Sequence, residues 1–145
     1  MAYVKIWIHA VWTTKKREKY LIKNVRQRLF KHIKENADKN GIYIDFINGH
    51  LDHVHCLISL TARQNIADVI NRIKGESSHW ANENKLIPLK FGWQRKYFAV
   101  SVSESHINRI RNYIKNQERH HQKKTYQEEY DEFIEKYGFE IVEDD

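Results

Sequence analysis

The run His53-Val54-His55-Cys56-Leu57-Ile58-Ser59-Leu60 constrains the fold more than any other stretch, because so apolar a segment reads as a strand buried in a sheet. Strand side chains alternate, so His53 and His55 share one face while Val54 and Cys56 point the other way, into a core. Two imidazoles roughly 7 Å apart on a rigid support each offer a neutral ring nitrogen, which suits a metal ion. The remaining ligands must come from elsewhere in the chain. The same pair also reads as the polar side of a half-exposed strand, and the pattern alone does not separate the two.

The segments around this strand have clear periods. Val4, Ile6, Ile8 and Ala10 alternate with Tyr3, Lys5, Trp7 and His9, which predicts a strand from Tyr3 to Trp12. Residues 13–19 lose their apolar members and form a basic loop between Trp12 and Tyr20. Val25, Leu29, Phe30, Ile33 and Ala37 predict a helix over 24–40, ended by Gly41. Alternation returns in Ile42 to Ile47, and Asn48-Gly49 predicts a tight hairpin turn into the histidine strand. A second helix is expected over 65–82, interrupted by Gly75, which marks either a close approach or a tolerated defect. Phe98 to Val102 predicts a fourth strand. Ser103 is the expected N-cap of a third helix over 104–121, with Ile107, Ile110 and Ile114 as its apolar stripe. Tyr126, Tyr130, Phe133, Ile134 and Tyr137 recur at helical spacing among acidic residues and predict a docking helix, followed by an acidic tail.

The order strand, helix, strand, strand, helix, strand is that of an α+β, ferredoxin-like or RRM-like antiparallel sheet with helices on one face. The predicted division is a core over 1–103, a tyrosine-bearing helix over 104–121 and an acidic C-terminal helix and tail over 122–145. The 145 residues suit one domain, and no apolar run approaches the roughly 18 residues of a membrane span. The opening residues lack the blocks of a signal peptide, and Cys56 is the only cysteine, so a cytoplasmic setting is expected.

Charge is divided unevenly along the chain. Residues 1–117 hold 21 Lys and Arg against 9 Asp and Glu, a net of +12, whereas residues 118–145 hold 4 against 10, a net of −6. A basic body attracts polyanions, nucleic acid foremost. The expected phosphate contacts are Lys15, Lys16, Arg17 and Lys19 in the first loop, Lys74 on the second helix, and Arg95 and Lys96 before the fourth strand.

On the third helix Tyr113 and Gln117 stand four apart, one turn above each other on the same face. Two imidazoles and the Gln117 amide oxygen make a weak, open ligand set for a divalent ion, leaving positions for water and phosphate oxygens. Beside such an ion Tyr113 is the candidate nucleophile toward a phosphodiester, giving a phosphotyrosine ester that keeps the energy of the broken bond. His120 and His121 fall at an expected frayed helix end and are not counted as ligands.

Asp52-His53-Val54-His55, Gly92-Trp93-Gln94, Ser101-Val102-Ser103 and Tyr113-Ile114-Lys115-Asn116-Gln117, with the opening Ala10 to Lys15, resemble the single-tyrosine HUH transposases of the smallest insertion sequences, the IS200-like family. The resemblance covers nearly the whole chain. It implies Tyr113 as nucleophile, His53, His55 and Gln117 as ligands of magnesium or manganese, and single-stranded DNA with a small hairpin as substrate. It also implies a 5′-phosphotyrosine intermediate and a homodimer in which one subunit's tyrosine helix completes the other's site. One alternative is a domesticated relative acting on genomic palindromic repeats. Another is a non-catalytic single-stranded nucleic-acid-binding module with Tyr3, Trp7 or Trp93 stacking on bases. A metal-dependent phosphohydrolase ordinarily uses a carboxylate-rich site.

Overall fold

A computed structural model of the chain describes residues 1–137, except the side chains of Phe133 and Tyr137. Those two members of the expected aromatic stripe, and the acidic tail over 138–145, lie outside the described residues. The elements are β1 (Ile6–Thr14), a 3-10 turn (Lys15–Arg17), α1 (Lys23–Lys39), β2 (Tyr43–Gly49), β3 (His53–Leu60), α2 (Ile66–Glu83) and β4 (Trp93–Val102). A second 3-10 turn (Glu104–His106), α3 (Ile107–Lys115), α4 (Gln117–His120) and α5 (Tyr126–Tyr137) follow.

The sheet order is β2-β3-β1-β4 with every neighbouring pair antiparallel, so the histidine strand is internal. This is the expected ferredoxin-like α+β fold. On one face Val54, Cys56 and Ile58 join Ala10 and Trp12 against Leu29, Ile33, Val69, Ile70 and Ile73 of α1 and α2. The opposite face, which the alternation of β1 left polar, is covered as well. Trp7 and Leu57 pack there with Ile107 and Ile114 of α3. At roughly 1.5–3 kcal/mol for each large apolar side chain fully buried, this second cluster is the main force holding α3 on the sheet. Trp7 is thereby enclosed and unavailable as a base-stacking platform, while Tyr3 stays exposed.

Two polar contacts from β2 fix α3 in place. Asn48 Nδ2 donates to the carbonyls of Ile114 at 3.0 Å and Lys115 at 3.1 Å, satisfying the end of the helix. Arg111 forks onto Asp45, with Nε donating to Oδ2 at 2.6 Å and an Nη donating to Oδ1 at 3.0 Å.

Some details differ from the sequence reading or decide between its alternatives. The turn between β2 and β3 lies at residues 50–52, where the His50 amide donates to the His53 carbonyl at 3.1 Å, rather than at Asn48-Gly49. Gly49 instead ends β2 opposite Val54, and a Cβ there would stand 2.1 Å from the His53 carbonyl oxygen. The third helix is broken at Asn116 (φ −95°, ψ 23°), whose Nδ2 donates to the Asn112 carbonyl at 2.9 Å and so competes with the continuing helix. Finally, Gly75 has open space around it, which makes it the tolerated defect and not a close approach.

The two glycines are therefore expected to respond oppositely to alanine. Gly75→Ala should raise the urea-unfolding free energy by about 0.5–1 kcal/mol. Gly49→Ala should lower it, since backbone must move to admit the methyl group.

Candidate active site

His53 and His55 project from β3 toward α3, α4 and α5, and both are fully buried. Each ring has its Nδ1 engaged from behind. His53 Nδ1 lies 2.9 Å from Asp52 Oδ1, and His55 Nδ1 lies 2.9 Å from Nε2 of His9 on β1. Such outer contacts orient an imidazole and fix which nitrogen faces the site. Both Nε2 atoms point to the same place.

Gln117, at the start of α4, brings Oε1 to 3.1 Å from His53 Nε2. Tyr113, one turn earlier on α3, donates its hydroxyl proton to Glu129 Oε2 at 2.5 Å. Glu129 comes from α5 and is 1% exposed. Its Oε1 lies 2.9 Å from His55 Nε2 and 3.7 Å from His53 Nε2. The sequence-predicted set His53, His55, Gln117 and Tyr113 is thus brought together within one chain.

The donor set fits a cation. When neutral His53 gives its Nδ1 proton to Asp52, its Nε2 lone pair faces Gln117 Oε1 and Glu129 Oε1, which are also acceptors. Acceptors turned on one another repel unless a proton or a metal ion lies between them.

The family model described as "Transposase IS200 like" matches residues 2–117, a span that holds the tyrosine, the histidine pair and the glutamine. The chain belongs to the IS200-like transposase family. It is 30% identical over 114 residues to the ISDra2 transposase TnpA of Deinococcus radiodurans, covering 75% of this chain and 81% of that protein. A crystal structure of a protein from Deinococcus radiodurans R1, described as a transposase, superposes with a TM-score of 0.63 at 29% identity over 81% of this chain and 95% of that one. The structure of a REP-associated tyrosine transposase bound to a REP hairpin shares the fold, with a TM-score of 0.60 at 19% identity over 83% of this chain and 72% of that one.

His9 and Glu129 at this site were not singled out in the sequence. His9 belongs to the face of β1 opposite Val, Ile and Ala residues, and only strand pairing puts it beside His55. Glu129 is one acidic residue among many on α5, and the available signal was its place in the stripe with Tyr126, Tyr130 and Phe133. His120 and His121 are not at a frayed end. The Lys124 amide donates to the His120 carbonyl at 3.1 Å, and both rings meet Glu129 of α5. His120 Nε2 and His121 Nε2 lie 2.9 Å and 3.5 Å from Glu129 Oε2, and His121 Nε2 is 3.0 Å from Gln117 Oε1.

Burial sets the protonation of the pair behind the site. It pushes His55 down to about 4, against the pull of Glu129, and His9 down to about 3, with His55 adding to the shift. Both rings are neutral at pH 7, as metal ligation requires. Burial alone would raise the Glu129 carboxyl, but the surrounding imidazoles, His55 first, hold it well below the usual carboxylate range. Tyr113 is raised above an ordinary phenol, first by burial and then by the Glu129 charge.

Of the predicted phosphate contacts, Lys16, Arg17 and Lys96 border a cleft beside α5, whereas Lys74 lies on α2, on the other face of the sheet. Lys15, Lys16 and Arg17 form the exposed 3-10 turn, Lys19 follows it, and Arg95 and Lys96 are exposed on β4. Lys74 is turned toward β4, donating to the Arg95 carbonyl at 2.9 Å. Two of the cations are met by α5. An Arg17 Nη donates to Gln127 Oε1 at 2.6 Å, and Lys96 Nζ donates to the Tyr130 hydroxyl at 2.6 Å. Between them runs a cleft of about 430 Å³ lined by Lys16, Arg17, Lys96, Phe98, Tyr126 and Tyr130.

Because His9 is neutral when folded and titrates at about 6.5 when unfolded, the unfolded chain takes up more protons below pH 6.5. Stability is expected to fall as pH drops from 6.5 toward 3. Replacing His9 by Gln should reduce the difference in urea-unfolding free energy between pH 7.5 and pH 5 by about 2 kcal/mol in metal-free protein.

Proposed function

We propose that the protein cleaves and rejoins single-stranded DNA at the ends of an insertion sequence, with Tyr113 as nucleophile and His53, His55 and Gln117 as ligands of magnesium or manganese. The observation that carries this reading is the convergence of the Tyr113 hydroxyl, two imidazole Nε2 atoms and the Gln117 amide oxygen in one buried place. When bound, the ion supplies Lewis-acid polarisation of the scissile phosphate and neutralises its developing charge. The chain supplies the rest.

Tyr113 attacks phosphorus, forming the bond from its phenolic oxygen as the bond to the 3′ oxygen breaks. Its proton passes to the carboxylate it already faces, Glu129. The departing 3′ oxygen takes up a proton, from Glu129 or from solvent, and leaves as a 3′ hydroxyl, while the 5′ phosphate remains on Tyr113. A free 3′ hydroxyl attacking that ester later restores a phosphodiester without an external energy source. Within one chain Tyr113 lies beside His53 and His55, so a single chain is able to supply a full set.

For the substrate, the cleft between the Lys15–Arg17 turn, β4 and α5 combines cations with aromatic rings, as single-stranded nucleic acid requires. The REP-associated relative of the same fold carries a hairpin, and we extend hairpin recognition to this chain. Lys15, Lys16, Arg17, Lys19, Lys74, Arg95 and Lys96 are the proposed backbone contacts. A second, non-catalytic reading has less support, because a plain binder needs no buried histidine pair and Trp7 is enclosed.

The test is a denaturing gel with labelled single-stranded DNA from the ends of the protein's own locus. With manganese or magnesium, wild type should give a protein–DNA adduct, which Tyr113→Phe and His53→Ala lose while binding persists. Bound but uncut DNA would point to a plain binder, and cutting without an adduct to a water nucleophile. Neutralising Arg17 and Lys96 together should weaken DNA binding and reduce the log–log salt slope by about 1–2.

A further inference from the structure

Glu129 has a position that the reading above uses only for a proton. It lies beyond residue 117, where the family match ends, on a helix that otherwise shows solvent its charged side. Its carboxylate is nonetheless enclosed, and every group facing it is a lone-pair donor to a cation or a partner of one: His53, His55, His120, His121 and Tyr113.

The spacing, which the groups now hold as hydrogen bonds, is also close to that of a coordination shell. Ligands about 2.1 Å from an octahedral ion lie about 3 Å apart along each edge. The donor pairs His53 Nε2 to Gln117 Oε1, His55 Nε2 to Glu129 Oε1 and His53 Nε2 to Glu129 Oε1 are 3.1, 2.9 and 3.7 Å apart. Three ligand atoms, from His53, His55 and Glu129, fall together in a group able to hold a metal ion. The chemistry agrees, because two imidazoles and an amide bring no negative charge, and hard divalent ions favour a carboxylate oxygen.

The helix is built to deliver that oxygen. Tyr126 is buried against the His53 ring, with centroids 4.7 Å apart, and stacks under the Arg17 guanidinium at 5.0 Å. Tyr130 packs on Phe98, at 5.1 Å between centroids, and accepts from Lys96. The link from α4 is short and tied back on itself, with His121 Nδ1 2.8 Å from the Lys124 carbonyl oxygen.

We propose that Glu129 is a fourth protein ligand of the metal site, so that docking of α5 and binding of the divalent ion are coupled. The proposal rests on the reading of His53, His55 and Gln117 as ligands. Four protein donors leave two octahedral positions for water or phosphate oxygens.

The experiment is a titration of full-length, DNA-free protein with manganese chloride, read by the electron paramagnetic resonance of free Mn²⁺. Wild type should bind, His53→Ala should not, and Glu129→Gln should bind at least about tenfold more weakly, since even outer contacts of a metal site cost about 10–100-fold when lost. Hydrogen exchange on wild type supplies a readout that needs no variant: Mn²⁺ should slow exchange across 126–137. Equal or tighter Mn²⁺ binding by Glu129→Gln, or exchange in α5 that Mn²⁺ leaves unchanged or speeds, would overturn the proposal and make the carboxylate a competitor of the ion. In that event a wild type that still binds Mn²⁺ through His53 leaves the proposed function standing. A wild type that binds none without DNA overturns this proposal, while the proposed function is decided separately by the DNA adduct.

Discussion

A strand covered by helices on both faces has no water to solvate its polar side chains, and the imidazoles of β3 must find every partner inside the protein. The rest of the site follows from that constraint. Asp52 and His9 take the inner nitrogens, which leaves both outer nitrogens aimed at one point. Burial keeps His55 and His9 uncharged at neutral pH, so the arrangement is maintained without a proton on either ring beyond the one each neutral imidazole carries. The enclosure that makes the strand a reliable support also makes its histidines usable ligands.

The second layer is what turns a common sheet into a reactive centre. Without α3 the odd-numbered face of β1 and β3 would be wet, and the histidine pair would be the polar side of a half-exposed strand. Leu57 and Trp7 hold Ile107 and Ile114, while Asn48 and Asp45 reach from β2 to fix the end and side of the helix. Tyr113 and Gln117 are placed by these contacts more than by helical regularity, since the helix breaks between them at Asn116. The break does not separate them, because Gln117 Nε2 still reaches the Tyr113 carbonyl at 3.4 Å.

α5 joins the basic body to the acidic end of the chain in a direct physical sense. Its tyrosines and Gln127 engage Arg17 and Lys96 at the edge of the proposed DNA cleft, and its one buried carboxylate enters the histidine cluster. The helix therefore touches both the surface that attracts a polyanion and the groups that act on it.

The sequence by itself determined the four strands, the two covering helices and the face shared by His53 and His55, because those depend on local periods of two and 3.6. It also brought Tyr113 and Gln117 together as a pair four residues apart, and with the histidine motif this was enough to indicate the family, although the break at Asn116 leaves their final placement to tertiary contacts. Misplacing the β2–β3 turn came from reading Asn48-Gly49 by its turn preference, when the close approach of the His53 carbonyl, a contact between strands, is what requires Gly49. Only the tertiary structure decided that His9 stands behind His55, that His120 and His121 turn toward Glu129, and that Glu129 among the acidic residues of α5 is the one turned inward. Those outcomes depend on strand pairing and on how a distant helix docks, and no local pattern carries that information.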